Sequence, residues 1–255
     1  MQDEIRQQDV PALAIRALGK RYGARPVLDA IDLEVAPGAA FGLVGANGAG
    51  KTTLIKCALD LCAPNAGSIA IFGVPHVLPR ARARLAFIPE RFVPPHYLTG
   101  REFIDLMLSL NAAGYESERV AGLLEDLELD ASALDRPVGQ LSKGMTQKLG
   151  LLGCFLVKRD LYVLDEPMSG LDPSGRVAVK SVLERLTHEG RTLFFTSHVL
   201  SDVEELCSKI AVLTRGIIRF HGSPGELCER YAEPHLERAF IQCTRDDDRT
   251  SATRH

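Results

Sequence analysis

The chain has 255 residues, 45% of them hydrophobic and 25% charged, with a formal net charge of −3. That length buries one sizeable α/β core with a small inserted subdomain, in a composition ordinary for a soluble globular protein. The slight acidity gives no electrostatic reason to expect a nucleic-acid partner, and no uncharged apolar run nears the roughly 18 residues of a membrane span. Leu149 to Val157 is the longest candidate. The opening MQDEIRQQDV is polar and acidic, unlike a secretory signal, so a soluble cytosolic chain is expected.

Ala12 to Leu18 and Val27 to Val35 read as early strands, separated and followed by Gly and Pro turns. Ala39 to Val44 is a buried apolar strand, and Thr53 to Leu59 has helical spacing. Ser68 to Phe72 is a short strand between Gly67 and Gly73, and Leu85 to Ile88 is another that stops at Pro89. The middle changes character. Thr99-Gly-Arg-Glu102 is a capping box that opens a helix through Leu110, Glu116 to Leu127 is amphipathic, and a third helix runs from Ser142 to about Val157. Consecutive helices with no strand predict an inserted helical subdomain over about residues 91–156. Strands return at Leu161 to Leu164 and Thr192 to Thr196. Between them lies a long helix with Asp172 as N-cap and Pro173 at its first position. Ser201-Asp-Val-Glu204 reads as a capping box, and Lys209 to Leu213 with Ile217 to Phe220 finish the sheet. One domain over 1–235 is expected, with 236–255 a flexible tail because TRDDDRTSATRH is polar. The six cysteines form no C-x-x-C pair and read as small buried hydrophobes.

"GANGAGKTT", Gly45 to Thr53, is the first stretch with chemistry in it. Strand, glycine-rich turn, helix is the setting of a phosphate-binding loop. Backbone N–H groups turn inward only where side chains do not block them, and the following helix points its positive end at the same place. Gly45, Asn47, Gly48, Gly50, Lys51, Thr52 and Thr53 are therefore the candidate nucleotide ligands. Lys51 is placed to reach the β- and γ-phosphates, and the Thr52 hydroxyl to take Mg²⁺.

"LYVLDEPMSGLDP", Leu161 to Pro173, supplies the other half. An apolar strand delivers Asp165 and Glu166 to its C-terminal end, where open α/β sheets bind ligands. Asp165 suits Mg²⁺, and Glu166 suits the polarisation of a water against the γ-phosphate.

In order, these motifs resemble the ATPase subunit of an ABC transporter over residues 14 to about 228. Gly45 to Thr53 is similar to the Walker A loop and Leu161 to Glu166 to the Walker B strand. "LSKGM", Leu141 to Met145, resembles the ABC signature, Ser169 to Asp172 the D-loop, and His198 in "TSHVL" the switch histidine. Tyr22 lies where the family stacks an aromatic on adenine. The resemblance implies an α/β P-loop (RecA-like) core with an N-terminal antiparallel β subdomain and the helical insertion. It implies ATP and Mg²⁺ as cofactors, with Glu166, His198 and Lys51 catalytic. It also implies a head-to-tail dimer, homo- or heteromeric, in which Ser142 and Gly144 of one subunit face the ATP of the other, with Asp172 of the D-loop a further nucleotide-binding residue. A transmembrane permease partner would hold the chain at the cytoplasmic face of the membrane. Glu90, in "FIPERF", stands where a Q-loop glutamine is usual and keeps a carboxylate near Mg²⁺. Lys143 and Met145 replace the commoner glycine and glutamine of the signature. That combination resembles exporter ATPases for drugs, lipids or glycans more than importers. The alternatives are a non-transport ABC ATPase acting on nucleic acid or the ribosome, which carries tandem cassettes or long coiled coils, and an ordinary P-loop kinase or GTPase, which lacks the signature helix.

Overall fold

The computed structural model describes residues 10–252. Two sheets organise it. Strands β1 (Leu13–Tyr22), β2 (Arg25–Val35), β4 (Ala66–Ile71) and β5 (Val74–Pro75) form an antiparallel sheet in the order β2-β1-β4-β5. Strands β3 (Ala40–Val44), β6 (Leu85–Ile88), β7 (Leu161–Asp165), β8 (Thr192–Ser197), β9 (Lys209–Thr214) and β10 (Ile217–Gly222) form the second, in the order β10-β9-β3-β8-β7-β6. It is parallel except for the β9–β10 hairpin.

The central strands AFGLV, LYVLD and TLFFTS are buried at every position, as a sheet covered on both faces requires. Their side chains alternate between two cores. Val44, Tyr162, Leu164 and Phe195 pack with the inserted helices, whereas Phe41, Leu43, Val163 and Phe194 pack with the antiparallel sheet and the helix after β3. That helix is α1 (Lys51–Ala58), followed by the short α2 (Pro79–Arg82).

The insertion holds α3 (Gly100–Leu110), α4 (Ser117–Asp126) and α5 (Lys143–Leu156). The Thr99 hydroxyl accepts from the Glu102 amide, and the Glu102 carboxylate accepts from the Thr99 amide at 2.8 Å. The Thr99 amide, and with it the Thr99 hydroxyl 3.0 Å from the same oxygen, holds the Glu102 carboxyl below its ordinary pKa. Helix α5 anchors the insertion: from Gln147 to Leu156 every residue is buried. Beyond it come α6 (Pro173–His188), α7 (Leu200–Leu206), α8 (Pro224–Tyr231) and α9 (Leu236–Ala252).

Two expectations change here. The segment expected as a tail is helix α9, and Leu236, Ala239 and Cys243 are buried in the core. With Phe240 they repeat at i, i+3, i+4 and i+7, an apolar stripe that the polar end of the segment masks. Residues 253–255 lie outside the described part. The capping box at Ser201 does not form. Helix α7 starts two residues earlier than that box implies, with Val199 as N-cap, and the Ser197 hydroxyl accepts from the Val199 amide at 3.0 Å. Four of the six cysteines, Cys57, Cys154, Cys207 and Cys243, are buried and none is bridged.

Candidate nucleotide site

The loop after β3 is shaped by close backbone approach. A Cβ on Gly45 would sit 2.3 Å from the Leu213 carbonyl oxygen of β9, so only glycine fits there. At Gly50, the N-cap of α1, φ is +114°, a conformation open to glycine alone. The turn therefore closes tightly and brings the first amides of α1 towards one point.

Lys51 arches back over this loop. Its ammonium donates to the Gly45 carbonyl at 2.7 Å, and only 7% of the residue is exposed. The Thr52 hydroxyl donates to Asp165 Oδ2 at 2.9 Å across 113 positions of chain. Asp165 closes β7, and Glu166 follows with φ +51°, a left-handed backbone uncommon for a non-glycine residue. His198 binds the Glu166 carboxylate twice: Nδ1 lies 2.7 Å from Oε2, and the amide donates to the same oxygen at 3.3 Å.

These groups share a cleft of about 310 Å³ that is also lined by Val27, Asn47, Gly48, Gly50, Thr53 and Glu90. Among the described residues no cluster of three or more His, Cys, Asp or Glu side chains could cage a metal. Mg²⁺ does not need one, because it is held by one or two protein oxygens, waters and substrate phosphates. The Thr52 hydroxyl and the Asp165 carboxylate are hard oxygen donors side by side at the foot of the loop, so the residues present fit that ion.

The remaining predicted site residues lie elsewhere. Gly45 shapes the loop from behind the cleft lining. Ser142 caps α5, its hydroxyl accepting from the Met145 amide at 3.2 Å, and Gly144 follows in the first turn. Asp172 caps α6, with Oδ1 accepting from the Gly175 amide at 2.9 Å. None of the three lines this cleft. Tyr22, at the end of β1, is 52% exposed, with its hydroxyl 3.9 Å from Cys62 Sγ and the Lys20 ammonium 4.9 Å from its ring. If that open ring stacks on adenine, Tyr22→Ala should weaken ATP binding by roughly 1 kcal/mol while turnover at saturating ATP changes less. Unaltered affinity in a calorimetric titration, with lowered stability, would make Tyr22 a packing residue only. Thr196, which touches both acidic residues of the site, gave no signal in the sequence. It looks like any other member of an apolar strand.

A strand–loop–helix cradle with its lysine, an acidic pair at the neighbouring strand end and a histidine on the second carboxylate define a P-loop nucleoside triphosphatase. The ABC transporter family matches residues 28–169. The chain is 38% identical over 213 residues to an ABC transporter ATP-binding protein of Nostoc sp., covering 82% of this chain and 64% of that one. It is 35% identical over 222 residues to the Nod factor export ATP-binding protein I of Cupriavidus metallidurans, covering 85% and 73%. A solved structure of the ATP binding subunit of an ABC transporter superposes with a TM-score of 0.83 at 28% identity, covering 91% of this chain and 99% of the other. This chain belongs to the ABC transporter family, and its fold is that of the family's ATPase cassette. It spans less than two thirds of the Nostoc relative's length.

Proposed function

We propose that the chain binds ATP with Mg²⁺, hydrolyses it, and drives a separate transmembrane partner in export. The observation behind this reading is the convergence of Lys51, Thr52, Asp165, Glu166 and His198 on one cleft. Loop amides and the Lys51 ammonium bind the triphosphate by charge-assisted hydrogen bonds. When bound, Mg²⁺ neutralises charge developing on the β- and γ-oxygens. The Glu166 carboxylate orients and deprotonates the attacking water, and His198 holds that carboxylate in place while its other ring nitrogen stays free to meet the γ-phosphate. A second subunit, docked head to tail, would present Ser142 and Gly144 to the same phosphate from the N-terminus of its α5.

Among the described residues no helix is long and apolar enough to cross a membrane. A groove of about 410 Å³ beside the nucleotide cleft is lined by Phe92, Val93, His96, Leu141 and Gln147, and Glu90 belongs to both. We assign this groove to a cytoplasmic helix of the permease, with Glu90 reporting the metal site to it. The test is reconstitution with the membrane protein that copurifies with a tagged chain. Glu90→Ala should lower the cargo moved per ATP consumed. An unchanged ratio in vesicles would reject the coupling role, and the absence of any ATP-driven transport by the wild-type complex would reject the function.

A further inference from the structure

Thr196 stands between the two acidic residues of the site. It lies near the end of β8 with no exposed surface, in register with Leu43 on one side and Asp165 on the other. Its hydroxyl has one proton, and that proton goes to Asp165 Oδ1 at 2.7 Å. The Thr196 hydroxyl oxygen in turn accepts from the Glu166 amide at 2.9 Å. Asp165 Oδ2 is held from the other side by the Thr52 hydroxyl. Two hydroxyls thus clamp the carboxylate and fix which oxygen is turned to the phosphate loop. The tie to the Glu166 amide also fastens a non-glycine residue of the site whose backbone is left-handed.

We infer that Thr196 is a positioning residue for phosphoryl transfer: through a single hydroxyl it orients the metal-binding carboxylate of Asp165 and the backbone turn that aims Glu166. The inference rests on the proposed roles of Asp165 and Glu166. Its physical basis is that a carboxylate left to rotate offers an incoming cation a variable oxygen, and a base on an untethered turn spends less time on the line of attack. Hydroxyls and amides behind metal ligands act in this way, and removing one generally costs roughly 10- to 100-fold in metal affinity or activity.

The discriminating variant is Thr196→Val, which keeps the volume and the β-branch that suits a strand and removes only the hydroxyl. Thr196→Ser restores the hydroxyl without the methyl group. Binding of a non-hydrolysable ATP analogue is titrated with and without Mg²⁺, alongside steady-state hydrolysis. For Thr196→Val, metal-free analogue binding should match wild type, because Lys51 and the loop amides are untouched. The Mg²⁺ concentration giving half of the metal-dependent gain in binding should rise roughly 10- to 100-fold, with kcat falling by a similar factor. KM at saturating Mg²⁺ should stay close to wild type, the signature of a lost transition-state contact rather than lost ground-state binding. Thr196→Ser should recover both the metal dependence and kcat. A Thr196→Val protein that melts earlier yet keeps wild-type Mg²⁺ dependence and kcat would make the hydroxyl a packing feature and overturn the inference. Failure of Thr196→Ser to recover them would overturn it too. Wild-type protein whose analogue binding ignores Mg²⁺ would instead overturn the ATP reading beneath it, an outcome the wild-type titration identifies by itself.

Discussion

Glu166→Gln should bind ATP as wild type does and release almost no phosphate. The amide keeps the size of the carboxylate and an oxygen able to accept from the His198 ring and amide, so the geometry around it survives. What disappears is the basic oxygen that takes the proton of the attacking water, a contribution typically worth roughly 10²- to 10⁴-fold in rate. With binding intact and turnover stopped, ATP should accumulate in the closed dimer, which size exclusion with ATP and Mg²⁺ reads as a doubled mass. Lys51→Ala fails differently. It removes the cation that the loop encloses, so nucleotide binding itself is lost and no dimer forms. Hydrolysis by Glu166→Gln near the wild-type rate would sink the assignment of the base.

The contrast between these two variants shows which parts of the site local sequence can announce. The loop from Gly45 to Thr53 was legible because its constraints act over a few residues: a tight turn, a small-residue requirement and a helix start. The cap at Thr99 and Glu102 and the cap at Asp172 with Pro173 were legible for the same reason. Thr196 was not, because its role exists only where β8 lies beside β7, 31 positions from the carboxylate it binds. The stripe of Leu236, Ala239, Phe240 and Cys243 was hidden differently: a correct helical period was outvoted by the charged residues that follow it. At Ser201 a plausible S-x-x-E pattern lost to its surroundings. The Ser197 hydroxyl already holds the Val199 amide, and the helix begins before Ser201. Local chemistry proposes caps, and neighbouring elements decide which of them form.

Whether one ATP is shared by two chains has the largest consequence for mechanism, and the structure frames it sharply. Ser142 and Gly144 do not line the cleft that holds Lys51, which leaves them for the nucleotide of a second chain to meet in the proposed dimer. In a head-to-tail dimer each ATP meets Lys51 of one subunit and Ser142 of the other. Lys51→Ala and Ser142→Arg should each be nearly inactive alone, since every composite site then carries a lesion. In a mixed dimer both lesions fall in one site and the other is intact, so mixing should recover activity. Random assortment in a closed two-fold arrangement makes about half of the dimers mixed, which bounds the recovery expected. If Ser142 acted on its own chain's nucleotide, every site of every dimer would stay defective and mixing would restore nothing. Strict cooperativity could silence hydrolysis even with one good site, and nucleotide trapping separates that case because an intact composite site still occludes ATP. With mixed dimers confirmed by two affinity tags, no recovery of hydrolysis and none of trapping would rule out the shared site.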